Sequence, residues 1–154
     1  MIEPITRACV VDASVGVKLF LDESLSDEAH ELFAHLADDP PAGLHVPDFF
    51  YIECANILWK HHQRLGLPAG QAREFMSQLG LLALQSTPTA ELVSEALDIA
   101  IDYQITAYNA AYIALAQRLS APLVTADHKL VRALAASPVP VRWLGDAPRP
   151  PDPW

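Results

Sequence analysis

The chain has 154 residues, 51% apolar and 19% charged, a balance that excludes intrinsic disorder and suffices for one compact domain with its own core. Its net charge of −9 argues against a protein that coats nucleic acid electrostatically, because phosphate binding relies on Lys and Arg. An acidic protein still acts on nucleic acid where bound metal or a separate partner supplies the positive charge.

Apolar stretches are interrupted well before the roughly 20 residues of a membrane span. The opening MIEPITRACVVDAS lacks the basic-then-apolar order of a signal peptide, so a cytoplasmic location without membrane association is expected. Cys9 and Cys54 fall inside a predicted strand and a predicted helix and are expected to be buried thiols rather than a disulfide.

Residues 8–11 predict the first strand and Ser14–Leu21 a short helix. Ser26 is placed as the N-cap of a helix running to Ala37, with Asp27 and Glu28 in its first turn. After a loop at 38–43, a strand at 44–46 leads through Pro47 and Asp48 into a helix over 49–64. A second helix spans 71–82, and a brief strand is expected at 84–86. Thr89–Asp102 carries apolar residues at three- and four-residue intervals and predicts a helix. Thr106 caps the next helix, followed by a strand at 123–125, a helix at 128–136 and a last strand at 141–144. Alternating short strands and helices predict an α/β fold with a four- or five-stranded parallel sheet covered on both faces. One domain is expected over 1–146, with a proline-rich, extended tail at 147–154. Strand order does not follow from the pattern.

Two aspartates stand directly after strands, Asp12 behind CVV and Asp127 behind PLVTA. In an open parallel sheet such positions lie at the carboxyl ends of strands, where the ligand crevice forms. Each also reads as a helix N-cap, worth about 1 kcal/mol, and capping does not preclude metal binding. Glu53 adds weight: it lies in the apolar half of its helix, where a carboxylate is costly unless a cation or hydrogen-bond donors compensate it. Only Lys129 and Lys18 stand near these acids in the sequence. The six histidines lack the spacing of a zinc site and read as surface residues.

Three segments, VVDASVGVKLFLDE at 10–23, VPDFFYIECANILWK at 46–60 and ITAYNAAYIALAQRLSAPLVTADHKL at 105–130, resemble the PIN-domain ribonucleases, in particular the VapC-type toxins of type II toxin–antitoxin pairs. The resemblance implies a PIN-like three-layer α/β/α domain and a magnesium- or manganese-dependent endoribonuclease that hydrolyses RNA with a metal-activated water. It assigns Asp12, Glu53, Asn109 and Asp127 to the catalytic set, with Asp12, Asp127 and Glu53 as metal ligands and Ser14 and Thr125 as supporting hydroxyls. Asn109 replaces the family's third acid. Its amide oxygen still ligates a hard cation but carries no charge and cannot act as a base. Three acids and an amide suit one metal better than two, and the substitution opens the alternative of a catalytically impaired module that binds RNA or antitoxin.

The resemblance also implies a cognate antitoxin and a homodimer, the latter through helices around 50–80 and the segment near Tyr108. Phe33, Phe49, Phe50, Ile57 and Trp59 are candidates for an apolar antitoxin groove, or else for the core. An α/β phosphatase would want a second acid two residues after Asp12, where Ser14 stands. A receiver domain would want paired acids near the first strand and a lysine ending a late strand, and the sequence offers neither.

Overall fold

The computed structural model describes residues 8–146; the expected tail at 147–154 lies outside the described residues, as do residues 1–7. Five strands form one parallel sheet in the order β3-β2-β1-β4-β5. They are β1 (Ala8–Val11), β2 (Gly43–Pro47), β3 (Gln85–Thr87), β4 (Leu123–Thr125) and β5 (Val141–Trp143). The helices are α1 (Ala13–Gly16), α2 (Ser26–Ala34), α3 (Phe50–Leu65), α4 (Ala69–Leu79), α5 (Val93–Tyr103), α6 (Ala107–Leu119) and α7 (His128–Ala133). This is the expected three-layer α/β/α arrangement, and among the described residues no helix is long and apolar enough to cross a membrane.

The central strands are apolar on both faces because helices cover both: Cys9, Val10, Val11, Leu123 and Val124 are fully buried. At the edge, β3 is short, polar and exposed along Gln85 and Ser86, which leaves little apolar edge for another chain to pair with. Both cysteines are buried free thiols, and burial pushes Cys9 up to about 12.

The order places the site. From β1 the chain steps through β2 to β3 on one side, then returns to lay β4 against the other side of β1, with Val10 paired to Leu123 and Val11 to Val124. The β1/β4 seam is therefore the point where strand order reverses, the position where open α/β sheets form their crevice. Asp12 and Asp127 follow the two strands of that seam.

Local structure departs from expectation in several places. The first helix is one α-turn continued by a 3-10 turn over Val17–Leu19. Ser26 is not an N-cap: it lies inside α2, where its hydroxyl donates to the Leu21 carbonyl (2.6 Å) and accepts from Glu23 N–H (3.0 Å), stitching the preceding loop. The residue before it, Leu25, takes a left-handed backbone (φ 68°) to make that turn. α2 ends at Ala34 and tightens into a 3-10 turn over His35–Ala37. The helix expected from Thr89 begins as a 3-10 turn, with α5 proper starting at Val93. Thr106 caps α6 as expected, accepting from Asn109 N–H at 3.1 Å.

α1 packs against α3, and Gly16 sets how closely. A Cβ built on Gly16 would lie 2.7 Å from Cζ of Phe50, a fully buried ring at the start of α3. The missing side chain lets α3 approach the turn that carries Asp12. Gly16→Ala is expected to cost about 1–3 kcal/mol, the usual range for overpacking, read as a lower urea midpoint at unchanged slope.

Candidate active site

Asp12 occupies the N-cap position of α1 with an extended backbone, yet its side chain makes no capping hydrogen bond. The carboxylate turns to the sheet instead. Thr125 Oγ1, from the end of β4, donates to Asp12 Oδ2 at 2.7 Å, and Ser14 Oγ donates to the same oxygen at 2.9 Å. Ser14 Oγ also accepts from Ala126 N–H (3.1 Å), and Thr125 Oγ1 accepts from Asp127 N–H (3.1 Å). The two hydroxyls expected to support the acids thus lock the ends of β1 and β4 together and hold Asp12 in one orientation.

Asp127 behaves differently. Its Oδ1 caps α7, accepting from Lys129 N–H (2.9 Å) and Leu130 N–H (3.3 Å), so the capping reading holds here. Both cap bonds fall on one oxygen and leave Oδ2 outside the cap. A third strand-end acid, Asp48 after β2, serves the scaffold: it accepts from Thr89 N–H at 2.9 Å and from the Thr89 hydroxyl, fastening the end of β2 to the approach to α5. Those bonds hold its carboxyl below the usual range.

Glu53 lies in the first turn of α3 and is half-buried. Tyr112, in the middle of α6 and 1% exposed, donates its hydroxyl to Glu53 Oε1 at 2.6 Å. Burial among carboxylates raises the phenol, which keeps its proton and acts as donor. Tyr112 is the functional residue that sequence reasoning passed over as one of the apolar positions of its helix. The available signal was its place three residues after Asn109, on the same face.

Burial raises the Asp12 carboxyl, against the lowering effect of the Thr125 and Ser14 hydroxyls and of the Ala13 and Ser14 backbone amides. Glu53 is raised first by burial and further by the Asp12 charge, with the Tyr112 hydroxyl opposing. The two acids therefore feel one another, and among the described residues no Lys or Arg forms an ion pair with either. Lys18, a candidate neighbour in the sequence, is turned away: Nζ bonds Glu23 Oε1 and the Ser24 carbonyl, each at 2.9 Å. Asn109 is half-buried in the first turn of α6. Among the described residues no three His, Cys, Asp or Glu side chains gather into a metal-holding group. The structure thus couples Asp12 with Glu53, and joins Asp127 to Asp12 through Thr125.

The chemistry of these donors, though among the described residues not a closed three-acid cage, is of the kind a hard cation takes. The oxygen donors are carboxylates, hydroxyl-oriented and partly stripped of water, with no side-chain counter-charge.

The PIN domain model matches residues 9–135. Ribonuclease VapC3 of Pyrobaculum aerophilum is 32% identical over 133 residues, covering 85% of this chain and 98% of that protein. Ribonuclease VapC9 of Mycobacterium tuberculosis is 33% identical over 121 residues, covering 79% and 87%. The chain belongs to the PIN-domain family, in its VapC-type branch. Among solved structures, PAE2754 from Pyrobaculum aerophilum superposes with a TM-score of 0.60 at 24% identity, over 82% of this chain and 78% of that one. A toxin–antitoxin complex from Klebsiella pneumoniae contains a chain with a TM-score of 0.59 at 15% identity, over 87% and 95%. At those identities the two structures bear on the fold alone.

The raised carboxyls set a pH dependence. Between the ordinary carboxylate range and the raised values, the folded state retains protons that the unfolded state has lost, so these two groups make stability fall as pH rises through that window. Asp12→Asn removes the buried charge while keeping an oxygen for both hydroxyls. In chelator at neutral pH it is expected to melt above the parent protein, with a smaller advantage near pH 4; thermal denaturation at the two pH values checks this. Tyr112→Phe removes the one side-chain donor to Glu53 and is expected to destabilise by about 1–3 kcal/mol, the cost of a lost hydrogen bond to a charged group, with a smaller loss in a Glu53→Gln background.

Proposed function

We propose that the chain is a divalent-metal-dependent endoribonuclease and the toxin of a toxin–antitoxin pair. The observation that carries this reading is Asp12, a carboxylate 7% exposed at the seam of β1 and β4, steered by two hydroxyls, set near a second raised carboxylate and given no cation by the protein. A structural acid in that position would be paired with a cationic side chain; this one has hydroxyl and amide donors but, among the described residues, no Lys or Arg. The ribonuclease names of the relatives agree with that chemistry.

Magnesium or manganese would be held by Asp12 and Glu53, with Asp127 contributing through Oδ2 and Asn109 through its amide oxygen. When bound, the ion would supply an activated water and neutralise charge developing on the cleaved phosphodiester. The protein's own part is orientation and exclusion of competing contacts. Thr125 and Ser14 fix Asp12, Tyr112 fixes Glu53, and Lys18 is tied to Glu23 where it cannot neutralise the acids. Neither histidine nor cysteine is called on as a nucleophile; Cys54 is buried with its thiol pushed up by burial and by the neighbouring acids, which removes it from thiolate chemistry.

For the antitoxin, α3 and α4 leave a groove of about 490 Å3 lined by Ala55, Leu58, Trp59, Ala72 and Met76 among others. Trp59 is 55% exposed there, a shape and chemistry suited to the apolar face of a partner segment. Of the other residues considered for this role, Phe33 and Phe50 are buried in the core. A homodimer through the helices around 50–80 is part of the same proposal, supported by the exposed Leu65 at the end of α3 and Leu81 just after α4.

Cleavage of single-stranded RNA is the test. Asp12→Asn and Glu53→Gln are each expected to lower the rate by roughly 100-fold or more, and chelation should do the same reversibly. Asn109→Asp should raise both metal affinity and rate, because an added charge at short range attracts the cation. Unchanged cleavage by Asp12→Asn would remove the proposal.

A further inference from the structure

Beside Glu53 the surface opens into a second groove, of about 450 Å3, whose walls combine three kinds of chemistry. Ile52, Glu53, Asn56 and Lys60 come from one face of α3, and Phe49 and Tyr108 provide the aromatic side. The Tyr108 ring is 66% exposed at the start of α6. It is not loose: Phe49 meets its ring edge to face at 5.9 Å, and Phe49 in turn meets Tyr112 at 5.2 Å. The phenol that orients Glu53 and the exposed ring are thus two ends of one chain of edge-to-face aromatic contacts.

Resting on the nuclease reading, we propose that this groove seats the nucleotide adjoining the cleaved phosphate. Its base lies on Tyr108, Asn56 offers its amide to the base edge, and the neighbouring phosphate meets Lys60. Glu53 is both a wall of this groove and a member of the acid pair, so a strand cleaved at the acids must pass along the groove. Glu53 and Lys60 stand seven residues apart, roughly 10 Å along the helix axis, which separates the metal-seeking end from the phosphate-seeking end. On a chain of net charge −9, a lysine beside an exposed aromatic and an amide suits single-stranded nucleic acid, which binds by stacking and by phosphate contact.

Tyr108 also supplies the contrast. It borders a smaller pocket of about 220 Å3 lined by Thr89, Val93, Ala96, Ala107 and Ala111, which carries no charged side chain and offers nothing to a phosphate.

The test is fluorescence anisotropy with a labelled single-stranded oligoribonucleotide of mixed sequence, on full-length protein made cleavage-deficient by Asp12→Asn. Against that parent, Tyr108→Ala is expected to weaken binding about 10-fold, in line with the stacking contribution of one base, and Tyr108→Phe to restore it. Lys60→Gln should weaken binding and reduce its salt dependence, and Val93→Ser should leave it unchanged. In otherwise unaltered, cleavage-competent protein, Tyr108→Ala should raise KM more than it lowers kcat. The proposal is overturned if Tyr108→Ala binds like its parent, or if Val93→Ser reproduces the loss and Lys60→Gln does not. It is also overturned if Tyr108→Ala changes the oligomeric state by light scattering, which would make the ring a contact between copies. Retained cleavage by Asp12→Asn would instead remove the nuclease reading, and the same variants would then be compared on a 2′-O-methyl oligonucleotide, which resists cleavage, with the same outcomes deciding the groove.

Discussion

The burial of the Asp12 carboxylate without a counter-charge is the constraint on which the rest of this structure turns. A carboxylate at 7% exposure is unfavourable unless something compensates it, and the surroundings supply direction rather than charge: two hydroxyls on one oxygen, from Thr125 and Ser14. Those same hydroxyls accept from the backbone of Ala126 and Asp127, so the group that positions the acid also closes the seam between β1 and β4. Gly16 permits α3 to come close enough for Glu53 to share the Asp12 field. Among the described residues the protein brings no Lys or Arg to this pair, which is the place a cation takes under the proposed function.

Two kinds of acid stand at the strand ends, and their hydrogen bonds separate them. Asp48 is consumed by Thr89, and Asp127 gives one oxygen to the start of α7. Asp12 sits at a cap position without capping. An acidic residue after a strand is therefore no mark of a site until its bonds are counted, because a backbone amide satisfies a carboxylate as well as a ligand does.

Much of this was legible in the chain. The apolar, β-branched runs before Asp12 and Asp127 marked two buried parallel strands, and the misplaced polarity of Glu53 marked a helix carboxylate with a reason to be there. Strand order was not legible, since it depends on contacts between segments more than 100 residues apart in sequence, such as Val10 with Leu123. Ser26 misled because a hydroxyl before an acidic turn has the composition of a cap, whereas its bonds run backwards to Leu21 and Glu23. Tyr112 was passed over because a buried tyrosine in an apolar helix has the pattern of a core residue. Its hydroxyl finds Glu53 only through tertiary packing, across 59 residues of sequence. The Asn109 substitution was visible at once, since it interrupts a motif otherwise matched.

The most direct measurement of the central claim is a carbon-13 NMR titration of the Asp12 and Glu53 side-chain carboxyls, first in chelator and then in saturating magnesium. Uncompensated burial predicts that both titrate above the ordinary carboxylate range in chelator, and that magnesium brings them back down as it takes the place of the protons. Ordinary titration of both groups in chelator, unmoved by magnesium, would contradict the claim that this pair is built to hold a cation.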